Sequence, residues 1–262
     1  MVADRWKVDH RIGKGAFGVI HHGIDSVTGG EVAIKFEHRN CRVPQLAFEA
    51  QLYRKLPAGE GVTEMVWFGR EKTFNVLVME LLGKSLADLF DACNKRFSLG
   101  TVAFIADQSL RRIENMHAHD IVHRDIKPNN FVMGKDSHSR NTVHLLDYGL
   151  AKIYRIHGNH IPFRDDKKLT GTARYASLNA HLGRELSRRD DLESLGFMLV
   201  YFYKGSLPWQ GNHNAKTKQE MYSAIKRLKR QTTLEELCHN LPNAFLDYLS
   251  YCRNLSFDQV SA

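Results

Sequence analysis

Long apolar runs are missing from this 262-residue chain, and no stretch approaches the roughly 18 uninterrupted apolar residues that a membrane span needs. The first residues, Met1-Val2-Ala3-Asp4-Arg5, carry no apolar core of the kind a secretory signal requires, so none is expected. Cysteine is scarce. Cys41, Cys93, Cys238 and Cys252 are far apart, and no Cys-x-x-Cys pair occurs. They read as free thiols of a reducing compartment, which leads to the expectation of a cytoplasmic, or also nuclear, protein. The histidines His21-His22, His117/His119 and His157/His160 have no cysteine or carboxylate at ligand spacing, so no metal site of the Cys/His type is expected. Internal repeats and low-complexity segments are absent.

The composition is that of an ordinary folded protein. Hydrophobic residues make up 43% and charged residues 25%, enough apolar material for a sizeable core and too much for a disordered chain. The formal charge of +8 admits nucleic acid, a membrane surface or acidic proteins as partners. Charge alone does not choose among them. No nucleic-acid motif accompanies it and the charge is spread along the chain, which argues against nucleic acid as the main partner.

The first 80 residues are patterned for strands. Trp6–Ile12 alternates polar and apolar positions, Val19–Gly23 and Glu31–Phe36 continue the pattern, and Thr28-Gly29-Gly30 marks a hairpin turn. Gln45–Leu56 has a helical apolar period, and strands are expected again at Val66–Phe68 and Asn75–Glu80. After Gly83 helices dominate: Leu86–Cys93, Leu99–His117, Asp191–Lys204, Lys216–Leu228 and Leu234–Cys238. Short strands at Phe131–Met133 and Val143–Leu146 flank a polar turn. The expected class is α+β, with a small β-rich lobe over 1–82 and a larger helical lobe over 83–262.

Four motifs carry chemistry. Gly13-Lys14-Gly15-Ala16-Phe17-Gly18 is a glycine turn that lets backbone approach phosphate oxygens. A dinucleotide fingerprint would need a helix after it, whereas β-like residues follow here, so strand–turn–strand is the better reading. Val32-Ala33-Ile34-Lys35 ends an apolar strand on a lysine, seventeen residues after Gly18, where it would hold phosphate oxygens. Such a lysine needs an anionic partner. Glu49 on the Gln45–Leu56 helix suits better than Glu37, too close in sequence to face back, or Glu60 and Glu64 in a glycine-bounded loop. His123-Arg124-Asp125-Ile126-Lys127-Pro128-Asn129-Asn130 places a proton-accepting carboxylate, Asp125, two residues before a cation, Lys127. Asn130 follows as a magnesium-ligating amide. Asp147-Tyr148-Gly149 supplies a second magnesium ligand, Asp147, with Tyr148 as the packing aromatic. Each motif alone has a bland alternative; their order and spacing do not.

Together these motifs resemble those of the eukaryotic protein kinases, and Asp191 in Asp191-Leu192-Glu193-Ser194-Leu195-Gly196 resembles the aspartate that braces the catalytic loop. The triplet Ala-Pro-Glu that usually closes the activation segment does not occur after Asp147. Instead the chain reads Gly171-Thr172-Ala173-Arg174-Tyr175-Ala176-Ser177-Leu178-Asn179, later Gly205-Ser206-Leu207-Pro208-Trp209-Gln210-Gly211, and Leu82-Gly83-Lys84-Ser85-Leu86 near the lobe boundary. This set looks like the casein kinase 1 family of serine/threonine kinases across nearly the whole chain.

The resemblance implies a two-lobed kinase fold with an ATP site between the lobes, Mg2+ as cofactor, and acidic or phospho-primed protein substrates. It implies a monomer with no membrane partner. ATP would be held by Ile12, Gly13, Gly15, Gly18, Ile20, Ala33, Lys35, Glu49, Met79, Glu80, Leu82, Val132 and Asp147. Among these, Met79 would be the gatekeeper and Glu80 and Leu82 the hinge. Asp125, Lys127 and Asn130 would be catalytic, with Asn130 and Asp147 on the metal, and Arg174 with Lys167 would form a substrate anion pocket. The family usually continues past Phe257-Asp258 into one more helix; a trimmed chain and a naturally short protein both remain open readings. A nucleotide-binding scaffold without turnover is the chief rival to an active enzyme, and the intact catalytic set argues against it.

Overall fold

The computed structural model describes residues 1–15, 18–211 and 215–260. Ala16 and Phe17 of the glycine turn lie outside the described residues. Asn212, His213 and Asn214, and the terminal Ser261 and Ala262, do so too.

In chain order the strands are β1 (Trp6–Gly15), β2 (Gly18–Asp25), β3 (Glu31–His38), β4 (Met65–Glu71), β5 (Phe74–Glu80), β6 (Ile121–Val122), β7 (Phe131–Met133), β8 (Val143–Leu145), β9 (Lys152–Ile153), β10 (Arg155–Ile156) and β11 (Asn159–His160). The helices are α1 (Leu46–Lys55), α2 (Leu86–Ala92), α3 (Leu99–Ala118), α4 (Leu178–Leu182), α5 (Arg188–Lys204), α6 (Lys218–Gln231), α7 (Leu234–Leu237) and α8 (Asn243–Asn254). The chain forms two compact units. One comprises Met1–Lys84 together with Val132–Gly149, and the other comprises Ser85–Phe131 and the chain from Leu150 onward.

The first unit is built on a five-stranded antiparallel sheet in the order β1-β2-β3-β5-β4. Val32 and Ile34 of β3 and Val76 and Val78 of β5 bury the same face, closed by Val2, Trp6 and Trp67. The period-2 alternation expected of β1 holds only at its start. Trp6 is buried, but the strand beyond it is largely exposed, because the ladder slips twice, between Val8 and Arg11 and between Arg11 and Gly13. Helix α1 packs on β4 and β5 through Leu46, Ala50, Leu52 and Tyr53. Its first turn is satisfied from outside the helix. Glu37 Oε1 accepts from the N–H groups of Gln45 (2.6 Å) and Leu46 (3.0 Å), two of the donors that every helix start leaves without an intrahelical partner.

The second unit is helical. Its centre is α5, whose residues from Asp190 to Phe202 are all buried, and α3 and α8 pack against it. Phe90, Phe97, Tyr201 and Phe202 form an aromatic cluster with centroid separations of 4.7–5.2 Å around Phe90. The helix expected from Asp191 begins three residues earlier, at Arg188, because Ser187 is the cap: its N–H donates to Asp190 Oδ2 at 2.8 Å. The helix expected over Lys216–Leu228 is shifted to Lys218–Gln231, since the Thr217 hydroxyl accepts from Glu220 N and sets the start. Helices α4 and α8 and strands β6, β9, β10 and β11 were not foreseen from the sequence. No helix among the described residues is long and apolar enough to cross a membrane.

Candidate active site

Three strands and a helix of the first unit bring its charged centre together. Lys35 sits on β3 opposite Ile20 of β2 and Leu77 of β5. Its ammonium lies 2.7 Å from Glu49 Oε2 and 2.8 Å from Asp147 Oδ1. Lys35 and Glu49 are both buried. Burial alone would drive the lysine toward its neutral form, but the facing Glu49 and Asp147 carboxylates more than offset it, and its pKa rises. Glu37, by contrast, faces the helix start described above and the Asn75 amide (3.1 Å), not the lysine.

Asp147 follows β8 in left-handed backbone (φ 66°), a conformation that costs a non-glycine residue on the order of 1–3 kcal/mol and persists only where the surroundings impose it. Those surroundings are Lys35, a 3.4 Å bond from the Asp147 N–H to the Tyr53 hydroxyl, and the next two residues. The Tyr148 ring packs on Tyr53 (centroids 4.5 Å), and its hydroxyl donates to the Leu145 carbonyl at 2.9 Å. A Cβ on Gly149 would come within 3.0 Å of Gln45 Oε1.

The other residues expected near a nucleotide in this unit are placed as follows. Ala33 pairs with Met79 across β3 and β5, and both are buried. Val132 is buried on β7. Ile12 on β1 is exposed (45%), and Gly13 pairs with Ile20. Gly15 pairs with Gly18. A Cβ on Gly18 would lie 2.1 Å from the Phe36 carbonyl oxygen, so packing against β3 demands this glycine before any ligand does. The Glu80 N–H is bound to the Glu64 carbonyl (3.1 Å), and Leu82 is half-buried. Gly83, next in the chain, donates its N–H to the Met133 carbonyl at 2.8 Å.

In the second unit the centre is Asp125. Its Oδ1 accepts from both the N–H and the hydroxyl of Thr172, each at 2.8 Å, and its Oδ2 accepts from Lys127 Nζ at 2.5 Å. The Asn130 amide donates to the Asp125 carbonyl at 2.9 Å, which turns its own oxygen the other way. The side chain of Thr172, and its role, were not singled out by sequence reasoning. Gly171 precedes it at φ +86°, where a Cβ would stand 2.4 Å from the Arg124 carbonyl oxygen. Segment 171–172 therefore lies close against the Asp125 loop.

Asp191 holds that loop from below. Its Oδ2 accepts from His123 N (2.7 Å) and faces His117 Nε2 (2.9 Å), while Oδ1 accepts from Arg124 N (2.8 Å). Burial pushes this carboxyl up, but the His117 bond, the nearby imidazoles and the His123 N–H outweigh it, and the pKa falls below the usual carboxylate range. Arg124 is itself in left-handed backbone (φ 66°), and its guanidinium donates to the Leu150 carbonyl at 2.7 Å.

The two residues expected to form an anion pocket have different surroundings. Arg174 is exposed, with its guanidinium 5.7 Å from the ring centroids of Tyr175 and Tyr201, and its carbonyl accepts from Trp209 Nε1 at 2.7 Å. Lys167 lies 3.3 Å from the buried Glu185, which Lys152 also meets at 2.8 Å, in a cleft lined by Arg124, Lys168 and Arg184. Arg174 is not among that cleft's lining residues.

The segment that lacks Ala-Pro-Glu is anchored by other means. The Ser177 hydroxyl donates to Asp190 Oδ1 (2.7 Å), and Leu178 N donates to Glu193 Oε2 (3.1 Å). Arg253 Nε in turn binds Glu193 Oε1 at 3.0 Å. A buried lysine, Lys229, joins the same region, bonding the Ala176 carbonyl with its ammonium 4.6 and 4.8 Å from the Phe197 and Trp209 rings.

The second unit holds a carboxylate, Asp125, with a cation beside it, and the first unit holds a carboxylate, Asp147, paired with a buried lysine; each is a kind of group that phosphoryl transfer uses. When the whole chain is compared with protein-family models, the one described as the protein kinase domain matches residues 6–258.

Proposed function

From the premise that the chain belongs to the protein kinase domain family, and so transfers phosphoryl groups from ATP to proteins, we propose that it is a serine/threonine kinase of the casein kinase 1 type acting on acidic or phospho-primed proteins. The observation that carries the reaction assignment is the Asp125 carboxylate held by Thr172 and Lys127. In this reading Asp125 accepts the proton of the substrate hydroxyl as its oxygen attacks the γ-phosphorus of ATP. The bond from that phosphorus to the β–γ bridging oxygen breaks, and ADP leaves. Lys127 offsets negative charge on the group in transit. Lys35, fixed by Glu49, faces the α- and β-phosphates.

The residues present fit Mg2+. Asp147 offers a carboxylate, and Asn130, whose amide nitrogen is tied to the Asp125 carbonyl, offers an amide oxygen; both are the hard oxygen donors this ion takes. Mg2+ held by donors of this kind would neutralise phosphate charge.

The serine/threonine and casein kinase 1 assignments rest on the resemblance of the 171–179 and 205–211 segments. The acidic preference rests on the exposed guanidinium of Arg174, which can meet a phosphate with a bidentate, charge-assisted pair. Lys167 is already engaged by Glu185 and supports that preference less. The assay is phosphorylation of a peptide array with phospho-primed, acidic and neutral serine, threonine and tyrosine sites. Asp125→Asn should abolish transfer. Arg174→Ala should lower activity on primed peptides more than on unprimed acidic ones. Transfer by Asp125→Asn at the wild-type rate would remove the catalytic assignment. Equal losses on both peptide classes would make Arg174 structural.

A further inference from the structure

Strands β1 and β2 pair in register from Trp6↔Asp25 to Val8↔Gly23, slip, and resume at Arg11↔His21. Between those points two residues of β1, Asp9 and His10, oppose one residue of β2, His22. In an unbroken strand Asp9 and His10 would point to opposite faces. The extra residue of a bulge breaks the alternation and re-aims side chains. Here it brings Asp9, His10 and His22 to one place. Asp9 Oδ2 lies 3.0 Å from His10 Nδ1 and 3.1 Å from His22 Nδ1. The two imidazoles stack, with centroids 5.1 Å apart and planes at 22°. One ligand atom from each of the three residues falls within 4.8 Å of the other two.

A fourth residue orients the cluster. Glu31 Oε1, on β3, lies 3.0 Å from His22 Nε2, and the other Glu31 oxygen is held by Lys135. His22 therefore faces a carboxylate with each ring nitrogen. A neutral imidazole has one N–H and one lone pair. If Nε2–H donates to Glu31, the Nδ1 lone pair points at an Asp9 oxygen, an acceptor against an acceptor. A second proton on the ring removes that conflict, and so does a cation seated among Asp9, His10 and His22. A histidine that ligates through one nitrogen and donates the other N–H to a carboxylate is the recurrent arrangement around protein-bound metals.

We propose that Asp9, His10 and His22 form a binding site for an imidazole-preferring divalent transition metal, with Zn2+ as the representative ion and Glu31 as the residue that fixes His22. Two imidazole nitrogens and one carboxylate leave a fourth tetrahedral position for water. The donor set disfavours Mg2+, which takes oxygen ligands and keeps its waters. The site is therefore distinct from the Asp147 and Asn130 ligands in both place and ion. Side-chain exposures of 51% for Asp9 and 66% for His10 leave a path for the ion, while His22 at 12% is held in place. A bound ion would tie β1 to β2 at the bulge.

The test is calorimetric titration of the full chain with Zn2+, with Mg2+ in excess, in a neutral non-chelating buffer. A single tight equivalent is expected, together with a rise in melting temperature. The double variant His10→Ala/His22→Ala should lose both effects. Glu31→Gln should weaken binding about 10–100-fold, as removal of an outer partner of a metal-bound histidine does. If the double variant fails to fold, Asp9→Asn and His10→Ala alter exposed side chains only and serve in its place, each expected to weaken Zn2+ binding about tenfold or more. No tight equivalent in the wild type, or one that survives these substitutions unchanged, overturns the proposal.

Discussion

Replacing Asp191 by Asn tests how the catalytic loop is held. The wild-type carboxylate accepts three bonds through two oxygens: Oδ2 takes His123 N and His117 Nε2, and Oδ1 takes Arg124 N. An asparagine of the same shape has one accepting oxygen. In its better orientation it keeps the Oδ2 partners and turns its NH2 toward the Arg124 N–H, donor against donor. The lost charge-assisted bond is worth about 1.5–3 kcal/mol, and the orphaned buried N–H costs about 1–3 more. The sum, about 2.5–6 kcal/mol, is a large share of the roughly 5–15 kcal/mol by which folded domains are stable. At about 2–4 °C per kcal/mol for a chain of this size, melting should fall by about 10 °C.

The same bond helps to hold Arg124, whose left-handed backbone costs on the order of 1–3 kcal/mol and which keeps the guanidinium bond to the Leu150 carbonyl once its N–H is released. Arg124 adjoins Asp125, so the carboxylate should lose its alignment. Each 1.4 kcal/mol of lost alignment slows transfer about tenfold. Calorimetry and steady-state kinetics on Asp191→Asn measure the two effects separately, with kcat expected to fall and KM for ATP to change little. A melting temperature within about 2 °C of wild type, or an unchanged kcat, would show that the three bonds do not hold the loop.

Thr172→Val removes one of the two donors to Asp125 Oδ1 while leaving the backbone N–H, and kcat should fall about fivefold, the equivalent of one hydrogen bond of about 1 kcal/mol; an unchanged kcat in a steady-state assay would remove Thr172 from the site. His181 donates to the Ala173 carbonyl from a buried position, and burial followed by the nearby Lys229 charge lowers its pKa to about 4 from an ordinary 6.5. The unfolded chain thus binds this proton more readily, and the stabilisation is complete above about pH 6.5 and is lost as pH falls toward 4, amounting to about 3 kcal/mol. His181→Gln should flatten the wild-type decline in melting temperature over that window, and parallel curves would refute the assignment.

The residues proposed for phosphoryl transfer were legible because each motif is local and the motifs come in fixed order. The choice of Glu49 over Glu37 was correct for geometry, yet the reason is not the proximity argued from sequence: Glu37 is committed to the start of α1, the helix that carries Glu49. Thr172 escaped notice because its bond to Asp125 spans 47 residues and no short pattern announces it. The strands β9 to β11 have two residues each, too few to show a period. Helix α8 hides its buried positions, Leu249 and Cys252, among Asn, Ser and Tyr residues of modest helix propensity. Histidine spacing gave no metal site because Asp9 and His10 reach His22 only through a bulge, and register slips are not written in composition.

The missing Ala-Pro-Glu triplet shows how an absence in sequence can mislead about mechanism. What such a segment end needs physically is a fixed attachment to the helical unit, so that residues 171–172 stay against Asp125. Here Ser177 and Leu178 are bonded to Asp190 and Glu193 of α5, and Arg253 of α8 closes on the same Glu193. Asp191, between those two acids, grips the other side of the Asp125 loop. Three acids within about one turn of a buried helix thus hold both the Asp125 loop and the segment that follows Thr172. Both are anchored on α5, so a substitution that shifts its first turn should alter the Asp125–Thr172 contact even when neither residue is touched.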